Sequence, residues 1–203
     1  MKNVIITMPM KDDIRPFRYE SAGNQSIDYD KPVIFPVNGV LANILQPKEQ
    51  VKLIFITTKG GENKGNENIV KFNNEIETIN KSIGAEISSE CIELPFEPTG
   101  NTFKILIQAL IEKIDPEAEI IADITYGIKP FPFVLLCALN FAEMYKKASL
   151  LYIVYGKIDF TPRPVNPVIY DITSLYYLQK LIGVMEGHPV ESASKMLNGF
   201  FDL

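Results

Sequence analysis

The fold is decided by the stretch IIADITYGIKP, residues 120–130, and by the apolar residues that follow it. The apolar start predicts a strand over 120–125, and the hydrophobic run that follows predicts a helix over 130–144. The polar residues between them lie at the carboxyl end of a strand, where open α/β sheets bind ligands. Gly127 allows close backbone approach, and Lys129 places a cation beside a helix N-terminus that already attracts anions. We therefore expect a site for a phosphorylated or nucleotide-like ligand. These residues do not indicate a particular reaction.

Strands and helices alternate along most of the chain. Strands are predicted at residues 4–8, 51–58, 86–94, 120–125, 150–155 and 168–172, and helices at 39–45, 66–83, 103–114, 130–144 and from 174 onward. The near-continuous apolar strand at 51–58 is typical of a parallel sheet covered on both faces. Because no helix separates the last two strands, one of them should be antiparallel. The pattern predicts an α/β fold with a mostly parallel six-stranded sheet flanked by helices. Residues 1–173 form the predicted ligand-binding domain, and 174–203 form a C-terminal helical extension.

Composition limits the class of protein. The 203 residues are 46% hydrophobic and 22% charged, with a net charge of -5, which fits one globular domain. An acidic chain is a poor candidate for binding duplex nucleic acid, which needs a broad basic face. No apolar run reaches the roughly 20 residues that span a bilayer, so we expect no membrane segment. The helix at 130–144 is apolar almost all round, which predicts burial in the core or at an oligomer interface.

Several chemical signatures are missing. The glycine-rich dinucleotide fingerprint does not follow the first strand. The loop at 59–65 contains glycines, but the residue after it, Asn66, stands where a Walker motif needs Lys. That loop is either a solvated turn or a ligand loop. The single histidine, His188, lies in a turn that ends a helix, so a zinc site and a Ser-His-Asp triad have no good candidate residues. We predict no cofactor and no bound metal. Cys91 and Cys137 are interpreted as buried thiols of a reducing cytosol, hence a cytoplasmic protein.

Two predicted site residues have an alternative interpretation in which they contact no ligand. Asp123 could bind a metal or act as a base, or it could orient the following loop through backbone N–H groups. Lys129 could be an anion ligand or a surface lysine. The long polar segment 10–36 carries Lys11, Arg15 and Arg18. A second loop with cations at the same edge of the sheet favours an anion pocket there.

The stretch DITYGIKPFP, residues 123–132, resembles the D-x-T-H-G motif of CRISPR-associated Rossmann-fold (CARF) proteins. Three further segments resemble that family in the same order: IRPFRY at 14–19, Tyr155-Gly156, and PVIYDIT at 167–173. The resemblance implies a Rossmann-like sensor domain that forms a homodimer. It also implies a pocket, shared across the twofold axis, that binds cyclic tetra- or hexa-adenylate, a second messenger of type III CRISPR antiviral immunity.

The same resemblance implies the residues of the ligand site. They come from the loops that end three strands and from two flanking positions: Thr7, Met8, Pro9, Met10, Lys11, Arg18, Thr57, Thr58, Lys59, Asp123, Thr125, Tyr126, Gly127, Lys129, Pro130 and Tyr155. Some family members cleave the ring without a metal. For that activity we name Thr7, Thr125, Tyr126 and Lys129, although Tyr126 replaces the histidine of the motif.

Three functions therefore remain in competition. The chain is a sensor that controls an effector domain, fused or partner, through its C-terminal helix; or it is a metal-independent ring nuclease, alone or in addition to sensing. The third alternative stands outside the resemblance and is an α/β protein that binds a mononucleotide without needing a dimer.

Overall fold

The structure is a computed structural model that describes residues 1–11, 14–60, 63–159 and 166–201. The strands are β1 (Lys2–Thr7), β2 (Glu20–Ala22), β3 (Gln50–Lys59), β4 (Glu86–Pro95), β5 (Glu119–Asp123), β6 (Ser149–Asp159) and β7 (Asn166–Asp171). The helices are α1 (Pro36–Ile44), α2 (Gly65–Asn80), α3 (Gly100–Lys113), α4 (Phe131–Lys146), α5 (Thr173–Val184) and α6 (Val190–Phe201), with a short 3-10 helix at Gln25–Ile27. The predicted α/β class is confirmed.

One mostly parallel sheet runs through the molecule, with the strand order β2-β7-β6-β5-β1-β3-β4. Strands β4, β3, β1, β5 and β6 are parallel, and β7 is antiparallel to β6, as the missing helix between them predicts. The sheet has seven strands in these ranges, one more than predicted. The extra strand, β2, pairs with β7. It lies in the segment predicted as a loop, because three residues are too few to show an alternating pattern.

Helices cover both faces of the sheet, and neighbouring residues of a strand pack into different layers. Val4 and Ile6 of β1 join the hydrophobic cluster under α1 and α2, whereas Ile5 joins the cluster that includes α3, α4 and Tyr176 of α5. The inner strands must therefore be apolar at almost every position, which explains the runs read in the sequence. The carboxyl ends of β1, β5 and β6 meet at one edge between these layers.

One expectation about burial is wrong. Cys91 and Cys137 are both exposed, because one lies on the edge strand β4 and the other on the face of α4 that points away from the core. Helix α4 buries one face in the core, and for its other face the oligomer interface stays a prediction. Phe131, Leu135 and Leu139 are buried, while Phe133, Met144 and Tyr145 are 73%, 62% and 69% exposed.

Candidate functional site

A cavity of about 420 Å³ opens at the carboxyl ends of β1, β5 and β6. The polar side chains and the exposed backbone of its lining come from the loops after β1 and β5 and from β6. The apolar side chains come mainly from the segment before β2. The lining consists of Pro9, Met10, Lys11, Ile14, Arg15, Phe17, Tyr19, Thr125, Tyr126, Gly127, Gly156 and Ile158. This volume lies within the range of sites for small ligands and cofactors.

The loop after β5 is held in place by Thr7. The Thr7 hydroxyl lies 2.6 Å from the carbonyl oxygen of Tyr126 and 3.1 Å from that of Asp123. Gly127 has φ +95, and a Cβ there would lie only 3.0 Å from Thr7 Cβ. A glycine is therefore required by the backbone conformation and by the close approach of β1. Thr7 is buried, so its hydroxyl positions the loop from below.

Thr125 is fixed at both of its polar groups. Its backbone N–H donates to Asp123 Oδ1 at 2.8 Å, and its Oγ1 accepts from the Gly156 N–H at 2.8 Å. The Thr125 side chain also hydrogen-bonds to the Asp123 carboxylate, so it links β5 to β6 beside the cavity. A Cβ at Gly156 would overlap the Pro36 ring, which makes glycine necessary beside Thr125.

The turn between β5 and α4 presents free donors. Within the described ranges, the backbone N–H groups of residues 126–129 have no hydrogen-bond acceptor, whereas Ile128 O and Pro130 O already accept from α4. Gly127 and Lys129 are exposed. Successive free N–H groups next to a helix N-terminus form a favourable environment for an anion, and Lys129 adds a positive charge.

Asp123 lies beneath this loop, fully buried, and does not line the cavity. Its Oδ1 accepts from Thr125, while Oδ2 has no partner among the described residues. Burial raises the pKa of Asp123 to about 6, against the opposing effect of the Thr125 hydrogen bond. Of its two sequence-based interpretations, the observed contacts match the one in which Asp123 orients the loop.

Two tyrosines close the floor of the cavity. The side chains of Tyr19 and Tyr126 are hydrogen-bonded to each other, and burial, together with the charge of Asp123, raises the pKa of both hydroxyls. Both hydroxyls are therefore neutral at physiological pH and can donate hydrogen bonds. The Tyr126 ring also meets the Phe35 ring edge-on at 6.3 Å, so this residue is partly a core residue.

The cavity brings together only part of the predicted ligand set. Pro9, Met10, Lys11, Thr125, Tyr126 and Gly127 line it. The predicted residues Thr7, Met8 and Asp123 are buried next to it, while Lys129 and Pro130 flank it at the start of α4.

Other predicted residues lie elsewhere. Thr57 packs against Gly65, and Thr58 accepts hydrogen bonds from Asn63. Lys59 forms an ion pair with Glu93 at 2.9 Å on the edge of the sheet. Exposed Arg18 is not part of the lining, and Tyr155 stacks on Tyr170 with ring centroids 6.2 Å apart.

Six lining residues were missing from the predicted set: Ile14, Arg15, Phe17, Tyr19, Gly156 and Ile158. Phe17 is placed by two backbone hydrogen bonds with Val33 at 2.9 Å, a contact that no local pattern announces. Ile158 was not predicted because β6 extends to Asp159, beyond its predicted end. The aromatic-basic segment 14–19 and the pair Tyr155-Gly156 were the available signals.

A larger cavity of about 600 Å³ lies between α2 and residues 29–34. Its walls are shared between α2 and residues 29–34, and its carboxylate, Glu75, is already bonded to backbone N–H groups. It lies away from the strand ends, so we regard the smaller cavity as the candidate site.

The described part of the chain contains no cluster of three His, Cys, Asp or Glu residues suited to a metal ion. None of its helices combines the length and the apolar character needed to cross a membrane. No protein-family model matches the chain, and no curated protein matches it.

Proposed function

We propose that this chain is a ligand-sensing module that binds cyclic oligoadenylate in the cavity at the carboxyl edge of its sheet. The observation that carries the proposal is the turn at residues 126–129, exposed at Gly127 and Lys129, whose backbone N–H groups have no acceptor in the described ranges. Lys11 and Arg15 lie on the rim of the same cavity. The resemblance of residues 123–132 to the CARF motif supports the same ligand class.

The lining divides into two chemical halves. Phosphate oxygens would accept from the backbone N–H groups of the turn, near the charges of Lys11 and Arg15. The apolar half, formed by Ile14, Phe17 and Ile158, suits the flat face of a nucleobase. A cavity of this size within one chain holds about one nucleotide, so a ring would need the cavity of a second copy as well.

The exposed face of α4 supports the homodimer in this proposal. Phe133, Met144 and Tyr145 are large exposed apolar side chains on this one helix, and exposed apolar patches mark interaction surfaces. Strand β6 offers a route from the ligand to the C-terminal helices. It carries Gly156 at the cavity, and its Ile153 N–H donates to Thr173 Oγ1 at 2.8 Å at the start of α5.

The volume of the cavity also favours a second candidate function, the binding of a mononucleotide by a single chain. About 420 Å³ is enough for one phosphate, one sugar and one base. Under this alternative, AMP or ATP would bind to the monomer.

The test is to incubate the purified protein, without metal, with cyclic tri-, tetra- and hexa-adenylate and with AMP. Melting shifts report binding, and chromatography over time reports the fate of the nucleotide. A shift with one ring that stays intact supports a sensor. Linear products that end in 2′,3′-cyclic phosphate would support ring cleavage, and a shift with AMP alone would support the mononucleotide alternative. No shift with any of them would refute the site.

Variants locate the binding. Lys11→Ala should weaken binding about tenfold, equivalent to about 1.4 kcal/mol. This effect of the substitution should be smaller at high salt. The matched control is Lys104→Ala, an exposed lysine on α3. Thr125→Val removes the hydroxyl that bonds to Asp123 and Gly156 and should weaken binding, whereas Thr125→Ser keeps the hydroxyl and should retain affinity.

A further inference from the structure

Helix α1 begins without a cap of its own. Phe35 occupies the N-cap position and makes no side-chain hydrogen bond to the helix start. Free N–H groups at a helix start normally find an acceptor in a Ser, Thr, Asp or Asn at this position. The sequence IFPVN at residues 34–38 offers no such residue there.

Glu75 of α2 supplies the missing acceptor. Its carboxylate accepts from the backbone N–H of Ile34 at 2.7 Å, from that of Phe35 at 3.2 Å, and from Asn38 Nδ2 at 2.9 Å. A negative charge is favourable at a helix N-terminus, and bonds to a charged acceptor are stronger than neutral ones. Glu75 therefore fixes both the start of α1 and the two residues before it.

The opposite side of the same segment contacts the candidate site. Ile34 O lies 3.5 Å from the Tyr126 hydroxyl, and the Phe35 ring packs edge-on against the Tyr126 ring. The next residue, Pro36, fills the space beside Gly156. Two residues of the cavity lining thus rest on residues 34–36, which Glu75 holds from the other side.

We propose that Glu75 is a positioning residue for the ligand cavity, acting through residues 34–36 on Tyr126. The affinity part of this inference rests on the proposed function. The carboxylate does not touch the cavity. It sets where the Tyr126 ring and hydroxyl lie in the floor, and so how well a ligand fits above them.

The test variant is Glu75→Gln, which keeps the shape but leaves one oxygen to face three donors. Glu77→Gln is the matched control, since Glu77 is an exposed carboxylate two residues further along α2. The first measurement needs no ligand. In protein with ¹³C-labelled tyrosine rings, the Tyr126 signal is assigned by its loss in Tyr126→Phe. Glu75→Gln should shift or broaden that signal, and Glu77→Gln should not.

The second measurement is the affinity for cyclic tetra-adenylate and AMP, by calorimetry. Glu75→Gln should weaken binding of the nucleotide that binds the wild type about fivefold, equivalent to about 1 kcal/mol. In a Tyr126→Ala background it should have no further effect, because coupled residues are not additive. A lower melting temperature with an unchanged Tyr126 signal would reduce Glu75 to a structural role. A full affinity loss that persists without the Tyr126 ring would also overturn the inference.

The two measurements separate this inference from the proposed function. If the wild-type protein binds none of the nucleotides, the proposed function fails. The labelled-tyrosine signal then still decides whether Glu75 positions Tyr126.

Discussion

The buried carboxylate of Asp123 should make the stability of the protein fall as the pH rises through the mildly acidic range. Burial raises the pKa of Asp123 from an ordinary 3.8 to about 6 in the folded state. Between these values the unfolded chain has lost the proton and the folded chain keeps it, so the folded state binds more protons and stability decreases with pH. A pKa difference of one unit corresponds to about 1.36 kcal/mol. The free energy of unfolding should therefore fall by about 3 kcal/mol by neutral pH, because the pKa of Asp123 rises from 3.8 to about 6.

Asp123→Asn removes this dependence with little change of shape. The Asn oxygen can still accept from the Thr125 N–H, which now lies 2.8 Å from Asp123 Oδ1. The amide is neutral at every pH. The variant should therefore be more stable than the wild type by up to about 3 kcal/mol at pH 8, with a difference that shrinks toward zero near pH 4.

Urea unfolding followed by circular dichroism, at half-unit intervals from about pH 4.5 to pH 8, measures this difference. Subtracting the variant from the wild type removes the titration of all other groups. Asp30→Asn, at an exposed carboxylate, controls for the loss of one negative charge. A wild-type-to-variant difference that stays constant with pH, or that grows toward acid, would refute the argument from desolvation.

Three further outcomes follow from the packing. Gly127→Ala should lower stability by about 1–2 kcal/mol, since φ is +95 and Thr7 is close, whereas Gly183→Ala, in open space on α5, should raise it by about 0.5 kcal/mol; thermal unfolding compares the two. Phe72→Ala should cost about 3–5 kcal/mol in urea unfolding, because this ring is fully buried between Phe35 and Phe55. Gly156→Ala should destabilise the fold and weaken nucleotide binding together, because a methyl group there overlaps Pro36.

Much of the fold follows from the period of the apolar residues. The continuous run of β3 indicated a strand covered on both faces, and the structure has α1 and α2 on one side and α3 and α4 on the other. The pattern was less informative for α4. It showed how apolar the helix is, but the amount of surface that its neighbours cover depends on packing, and Cys137 and Phe133 are exposed.

The candidate site was predictable in place but not in its hydrogen bonds. The polar turn after a buried strand predicted residues 125–127 and the resemblance implied the loop after β1, and residues of both segments line the cavity. That Thr7 uses its hydroxyl on the turn depends on how β1 and β5 align, which no local pattern contains. Lys59 was predicted as a ligand residue, but it forms an ion pair with Glu93 of the neighbouring strand.

The order of the strands has a consequence for folding. The cavity combines Lys11, Thr125 and Gly156, which come from the beginning, the middle and the last third of the chain. These segments meet only after β5 has inserted between β1 and β6, and such non-local parallel pairings form slowly. We therefore expect the site to be completed late in folding. A ligand in the cavity would link distant parts of the chain, and it should slow global unfolding rather than the opening of any single loop.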